Sequence, residues 1–108
     1  MAEKILASEV KQIIFACEAG MGSSLMSVNS LKKMFKKAKV TGVSVIHKPV
    51  REIPADAQIV VVHKGLAKSA KSKAPNAVIV AFNHFLKDPA FVKLVEAFVQ
   101  NGEVEGSL

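Results

Sequence analysis

A small α/β fold built on a doubly wound parallel sheet is what this sequence predicts. Three observations carry the prediction. Four short apolar segments rich in β-branched residues alternate with helical ones, the pattern of a parallel sheet covered by helices on both faces. The first, Lys11 to Ala16, becomes continuously apolar at Ile13, Ile14 and Phe15, as in a strand buried on both sides. That strand leads directly into a Gly-rich turn and then a helix.

The chain of 108 residues is the size of one domain. Residues 1–10 mix charged and small side chains and read as a loose arm or a short turn of helix, residues 11–101 as the folded domain, and residues 102–108 as a polar tail. After the turn at Cys17 to Gly22, the segment Ser23 to Lys39 has helical period. Val28, Leu31, Phe35 and Ala38 form its apolar stripe, Lys32, Lys33, Lys36, Lys37 and Lys39 lie largely off it, and Thr41-Gly42 stops it. Val43 to His47 is the second strand, and Pro54 keeps the connection after it irregular. Gln58 to His63 is the most β-branched segment and so the central strand. Gly65 to Lys73 is a short basic helix that ends before Pro75, and Ala77 to Phe82 is the fourth strand. Asp88 and Pro89 start the last helix, whose stripe is Phe91, Leu94, Val95 and Phe98. With right-handed crossovers these elements give a flavodoxin-like sheet of order 2-1-3-4 with three helices on two faces.

Composition narrows the function. Half the residues are hydrophobic and 22% are charged, which suits a packed core and not a disordered chain. One cysteine excludes a disulfide framework and a multi-cysteine zinc site, and no two histidines share the i, i+4 spacing of a metal pair. A net charge of +6 favours an anionic partner: nucleic acid, an anionic membrane surface, a phosphorylated ligand or an acidic protein. The absence of Trp and Tyr lowers the case for nucleic acid, which stacks on exposed aromatics. No apolar run approaches the roughly 20 residues that cross a bilayer, and the first residues do not resemble a signal peptide. A cytoplasmic protein without direct membrane insertion is expected.

In doubly wound sheets ligands bind at the carboxyl ends of the strands, beside the point where strand order reverses. The turn after the first strand occupies that place, and it reads Cys17-Glu18-Ala19-Gly20-Met21-Gly22-Ser23-Ser24. Gly20 and Gly22 permit positive φ, successive N–H groups in such a turn can converge on an anion, and the Ser23 and Ser24 hydroxyls add donors at a helix start. Donors and dipole together favour the thiolate of Cys17, the nucleophilic form. A thiolate in a cradle of donors suits attack on phosphorus. The alternatives for these residues are a small buried thiol, an ordinary tight turn and plain helix caps.

Known loops separate the possibilities. The dinucleotide fingerprint would need glycine at Leu25, and the Walker pattern a lysine that is absent. Low-molecular-weight tyrosine phosphatases place an arginine where this chain has Ser23, and without that bidentate clamp hydrolysis of a thiophosphate should be poor. His63 ends the third strand, expected beside the loop, where its ring could pair with a phosphate or favour the thiolate, or is simply a solvated strand-end histidine; His47 ends the second strand with less support, and His84 reads as structural. The lysines of the first helix, with Lys48 and Arg51, form either a solvated face or a rim that steers an acidic partner, and Met21 and Leu25 are either docking contacts or partly buried against the last helix.

The loop CEAGMGSS closely resembles the phosphocysteine loop of mannitol-type enzyme IIB components of the phosphotransferase system. The similarity runs from about Gln12 to Val99 and includes VVHKGL, KAPNA and FNHFLKDPAF in the same order. The common family loop has Asp where this chain has Glu18. The resemblance implies a transferase in a phosphoryl relay: a phosphohistidine of IIA donates to Cys17, and phospho-Cys17 donates to a sugar, mannitol or a related polyol, bound by the membrane component IIC. Glu18 to Ser24 would hold the phosphoryl oxygens, no metal or nucleotide cofactor would be needed, and IIC would keep the protein at the inner face of the membrane. Two competing readings remain at this point: a cysteine-dependent phosphatase or arsenate reductase, and a IIB-like regulatory module.

Overall fold

Parallel pairing around one strand organises the chain. The computed structural model describes residues 4–17, 22–40, 42–83, 89–100 and 102–106; for Cys17, Glu105 and residues 22–27 it describes the backbone. The elements in chain order are β1 (Lys4–Leu6), β2 (Gln12–Cys17), α1 (Gly22–Lys37), β3 (Ser44–Pro49), β4 (Ile59–His63), α2 (Ala67–Lys73), β5 (Val78–Phe82), α3 (Pro89–Val99) and β6 (Glu103–Glu105). Strands β3-β2-β4-β5 form a parallel sheet in that order. This is the predicted 2-1-3-4 arrangement, with β2 as the first of its strands.

The period-2 geometry of the strands divides the core in two. Ile13 and Phe15 of β2, Ile59 and Val61 of β4, and Val78, Val80 and Phe82 of β5 pack with Val28, Leu31 and Phe35 of α1 and Phe91, Leu94 and Val95 of α3. Ile14, Ala16, Val60, Val62 and Ile79 meet Ala67 and Ala70 of α2, together with Ile53, Ala57, Ala74 and Ala77. The second layer is thin because alanines bring α2 close to the sheet. No helix spans the β3–β4 crossover, only a 3₁₀ turn at Val50–Glu52, and Ile53 and Ala57 bury that connection instead.

Two expectations are corrected. The first 10 residues and the polar end are not loose over their described lengths: β1 and β6 pair antiparallel, with Ile5 opposite Val104, and the Ala7 N–H donates to the Gly102 carbonyl at 2.8 Å. Val104 is buried against the α1–α3 side of the core. Each strand is only three residues long, Lys-Ile-Leu in β1 and Glu-Val-Glu in β6, too short for the sequence to carry a strand pattern. The tertiary contact supplies it.

The second correction concerns the end of α1. The helix is closed by Lys39 at φ 60°, not by a glycine. The Lys39 N–H donates to the Lys36 carbonyl at 3.1 Å and the Val40 N–H to the Phe35 carbonyl at 3.0 Å, the paired bonds of a Schellman cap. Gly42, with φ 80°, lies beyond that cap. At the other side of the same pole, the Gln58 side chain stands in for missing ladder bonds. Its Oε1 accepts from the Lys11 N–H (2.8 Å) and the Gln12 N–H (3.3 Å), and its Nε2 donates to the Glu9 carbonyl at 2.8 Å.

A left-handed lysine is strained where glycine is not, so Lys39→Gly should stabilise the fold by about 1 kcal/mol and raise the thermal midpoint by about 4–8 °C, read by calorimetry. Gln58→Ala leaves the start of β2 without its side-chain partners and should cost about 1–3 kcal/mol in chemical denaturation.

Candidate functional site

The sheet reverses its winding at β2. From β2 the chain crosses to β3 on one side, then returns to β4 on the other, so the crevice of the doubly wound sheet opens between β2 and β4 at their carboxyl ends. Cys17 is the last residue of β2, in register with Pro49 of β3. The β2–β4 register pairs Ala16 with Val62, and its next step brings the Cys17 backbone beside His63, itself in register with Phe82. Pro49, Cys17, His63 and Phe82 therefore mark one row across the top of the sheet. Adjacent strands lie about 4.8 Å apart, so Cys17 and His63 are neighbours across the crevice.

Helix α1 starts at Gly22, and Ser23 and Ser24 belong to its first turn. Its first N–H groups, which lack partners within the helix, and the positive end of a 16-residue helix thus follow Cys17 within a few residues, with no acidic residue in the first turn. Glu18, Ala19, Gly20 and Met21 lie outside the described residues, as do His84 and Asp88; Gly22, Ser23, Ser24 and Leu25 are placed by backbone alone.

His63 is the best-defined side chain of this row. Its Nδ1 accepts a hydrogen bond from the Gly65 N–H at 3.2 Å, which starts the 3₁₀ turn Lys64–Leu66. A Cβ on Gly65 would stand 3.3 Å from that nitrogen, so glycine leaves room for the ring. The imidazole also meets Phe82 edge-on, centroids 5.7 Å apart at 84°. Phe82 in turn packs on Phe15 at 5.4 Å and Phe91 at 5.0 Å, all three rings fully buried. A rigid aromatic cluster under the sheet edge therefore supports the histidine. Sequence reasoning placed His63 here but overlooked Gly65 and Phe82. The signal for Gly65 is its position two residues after a strand-ending histidine.

His47 lies elsewhere. Strand β3 runs on to Pro49, which leaves His47 exposed and opposite Phe15, two residues short of the Cys17 row. The lysines separate as well. Lys48, Arg51 and Lys64 lie at or just beyond the carboxyl ends of β3 and β4. Arg51 approaches Glu52 at 3.9 Å, with both side chains more than half exposed, which contributes little. Lys36, Lys37 and Lys39 sit at the far end of α1, roughly 21 Å along its axis from Gly22 at 1.5 Å per residue. Lys39 there lines a groove of about 460 Å³ with Lys11, Phe98 and Val99. Those three cations mark the opposite pole. Among the described residues no group of three His, Cys, Asp or Glu side chains is arranged to hold a metal, and no helix is long and apolar enough to cross a membrane.

Fold and sequence together define a class: the chain belongs to the IIB subunit family of the sugar phosphotransferase system, since the family described as "PTS system, Lactose/Cellobiose specific IIB subunit" matches residues 12–97. Similarity to individual proteins points to one branch. The chain is 41% identical over 95 residues to a "PTS system mannitol-specific EIICB component" of Bacillus subtilis, covering 88% of this chain and 20% of that protein. It is 40% identical over 89 residues to the protein of the same description in Staphylococcus saprophyticus, covering 82% and 18%. The corresponding Geobacillus stearothermophilus protein is 38% identical over 94 residues, covering 87% and 20%. The chain spans about a fifth of the length of these curated relatives.

Proposed function

We propose that this chain is a IIB phosphocarrier that takes a phosphoryl group from a phosphohistidine of IIA onto Cys17 and passes it to mannitol or a related polyol held by IIC. One observation carries the reading: Cys17 closes β2 at the switch point, a few residues before the N-terminus of α1. In the first step the Cys17 thiolate attacks phosphorus. The S–P bond forms, the N–P bond breaks, and its electron pair stays on the donor imidazole, which takes up a proton. In the second step a sugar hydroxyl attacks, the O–P bond forms, and the S–P bond breaks to return the thiolate; the hydroxyl proton leaves with a base of the sugar-binding component.

The backbone N–H groups from Glu18 to Ser24 and the two serine hydroxyls are the donors for the phosphoryl oxygens in this scheme. They hold charge that grows in the transition state without the permanent charge of an arginine. Ser23 in place of that arginine disfavours the hydrolase reading. The family description names lactose and cellobiose, whereas the individual relatives are described as mannitol-specific. Identity near 40% over more than four fifths of the chain is the more specific of the two, and it supports mannitol. The same relatives' EIICB descriptions support IIC as partner.

Incubation with phosphoenolpyruvate, enzyme I, HPr and the cognate IIA should add the mass of one phosphoryl group, and Cys17→Ser should add none. An unmodified mass under conditions that phosphorylate IIA, or fast turnover of p-nitrophenyl phosphate, would defeat the carrier reading. Charge placement gives a second expectation. Exposed charges are screened beyond about 10 Å at 0.1 M salt, so Lys64→Glu should slow transfer from IIA several-fold, while Lys36→Glu with Lys37→Glu leaves the rate nearly unchanged. Stopped-flow quench at two salt concentrations reads both.

A further inference from the structure

We propose that His63 is held as a neutral, Nε2-protonated imidazole and donates a hydrogen bond to the anion at Cys17, thiolate before transfer and phosphoryl after it. The inference deepens the carrier reading and rests on it for the phosphorylated state.

The argument begins with the tautomer. A backbone N–H can only donate, so the Gly65 N–H at 3.2 Å requires a lone pair on Nδ1 and puts the ring proton on Nε2. Protonating Nδ1 as well would break this bond and set two donors against each other at the start of the Lys64–Leu66 turn. Glycine at position 65 allows the close approach, since a Cβ would crowd Nδ1 at 3.3 Å. The edge-on contact with Phe82 fixes the plane of the ring, and Phe82 is itself held by Phe15 and Phe91. Such support is what a positioned donor needs and a solvated strand-end histidine lacks.

Location supplies the rest. The β2–β4 register sets His63 in the row of Cys17, on the other wall of the crevice. A neutral donor there fits a carrier better than a cation does. It favours the thiolate enough for attack, yet adds no full charge to hold the thiophosphate against its second transfer. No proton moves to or from His63 in either step.

Two substitutions split the ring's functions. His63→Asn keeps an acceptor within reach of the Gly65 N–H and loses the Nε2 donor; His63→Gln keeps a donor in place of Nε2 and loses the acceptor. Cys17 is the only cysteine, so the pH profile of its alkylation by iodoacetamide reports thiolate formation without any partner protein. His63→Asn should move the midpoint of that profile up by about one pH unit and slow phosphoryl transfer about tenfold, the effect of losing one hydrogen bond to a charged group. His63→Gln should stay within about threefold of the parent. Nitrogen-15 NMR of the parent should show the Nε2-protonated tautomer at neutral pH. An Nδ1-protonated or doubly protonated ring would overturn the proposal, as would an unchanged alkylation profile in His63→Asn. Equal losses in both variants, matched by equal falls in melting temperature, would reduce His63 to a structural role. Because alkylation needs no donor protein, failure of the parent to accept phosphate would strike the carrier reading and leave the His63 contact to thiolate decided by the profile.

Discussion

Parallel pairing of β2 with β3 on one side and β4 on the other is the constraint on which everything else rests. It buries Ile13, Ile14, Phe15 and Ala16 on both faces at once, and each of the three large side chains, Ile13, Ile14 and Phe15, contributes roughly 1.5–3 kcal/mol of hydrophobic stabilisation. A slip of one residue would exchange the two faces, setting the alanines of α2 against Phe15 and the large side chains of α1 and α3 against Ala16. Neither layer has the volume to accept the other's side chains. The register is therefore fixed by packing, and it carries Cys17 to the end of its strand beside the crevice.

The same packing gives the Cys17 row a firm edge. The aromatic group of Phe15, Phe82 and Phe91 joins the Cys17 row through Phe82, and His63 is the polar end of that group. The Gly65 N–H bonded to Nδ1 and the buried Phe82 ring set edge-on to the imidazole are two of the contacts that position it. The two poles of the sheet then differ in kind. At the carboxyl end stand a histidine, a cysteine and a helix N-terminus; at the amino end, Gln58 and the Schellman cap at Lys39 satisfy backbone groups.

Much of this was legible in the sequence because the signals were local and repeated. Ile13-Ile14-Phe15 and the β-branched run of β4 gave away strands covered on both faces, and the stripe Val28, Leu31, Phe35 predicted the buried side of α1. The family match over residues 12–97 agrees with the resemblance read from the loop and the three later motifs. What escaped was nonlocal. Lys4–Leu6 and Glu103–Glu105 have no strand pattern of their own, since each becomes a strand only when the other is beside it. Lys39 took the left-handed position expected of a glycine because the Phe35 and Lys36 carbonyls needed partners there, before Gly42 was reached.

Charge shows the same division. The sequence lists five lysines on or just after one helix and says nothing of which end of the sheet they reach; the crossover sends Lys36, Lys37 and Lys39 away from Cys17 and leaves Lys48, Arg51 and Lys64 near it. Sequence alone determined the four strands of the parallel sheet, its three helices, their order and the cysteine that ends the first of those strands, because hydrophobic period and turn chemistry act over a few residues. Only the tertiary structure decided that His63 falls in the row of that cysteine with its Nδ1 accepting from Gly65, and that Lys4–Leu6 pairs with Glu103–Glu105. Those facts depend on register and on contacts between residues far apart in the chain, which no local pattern encodes.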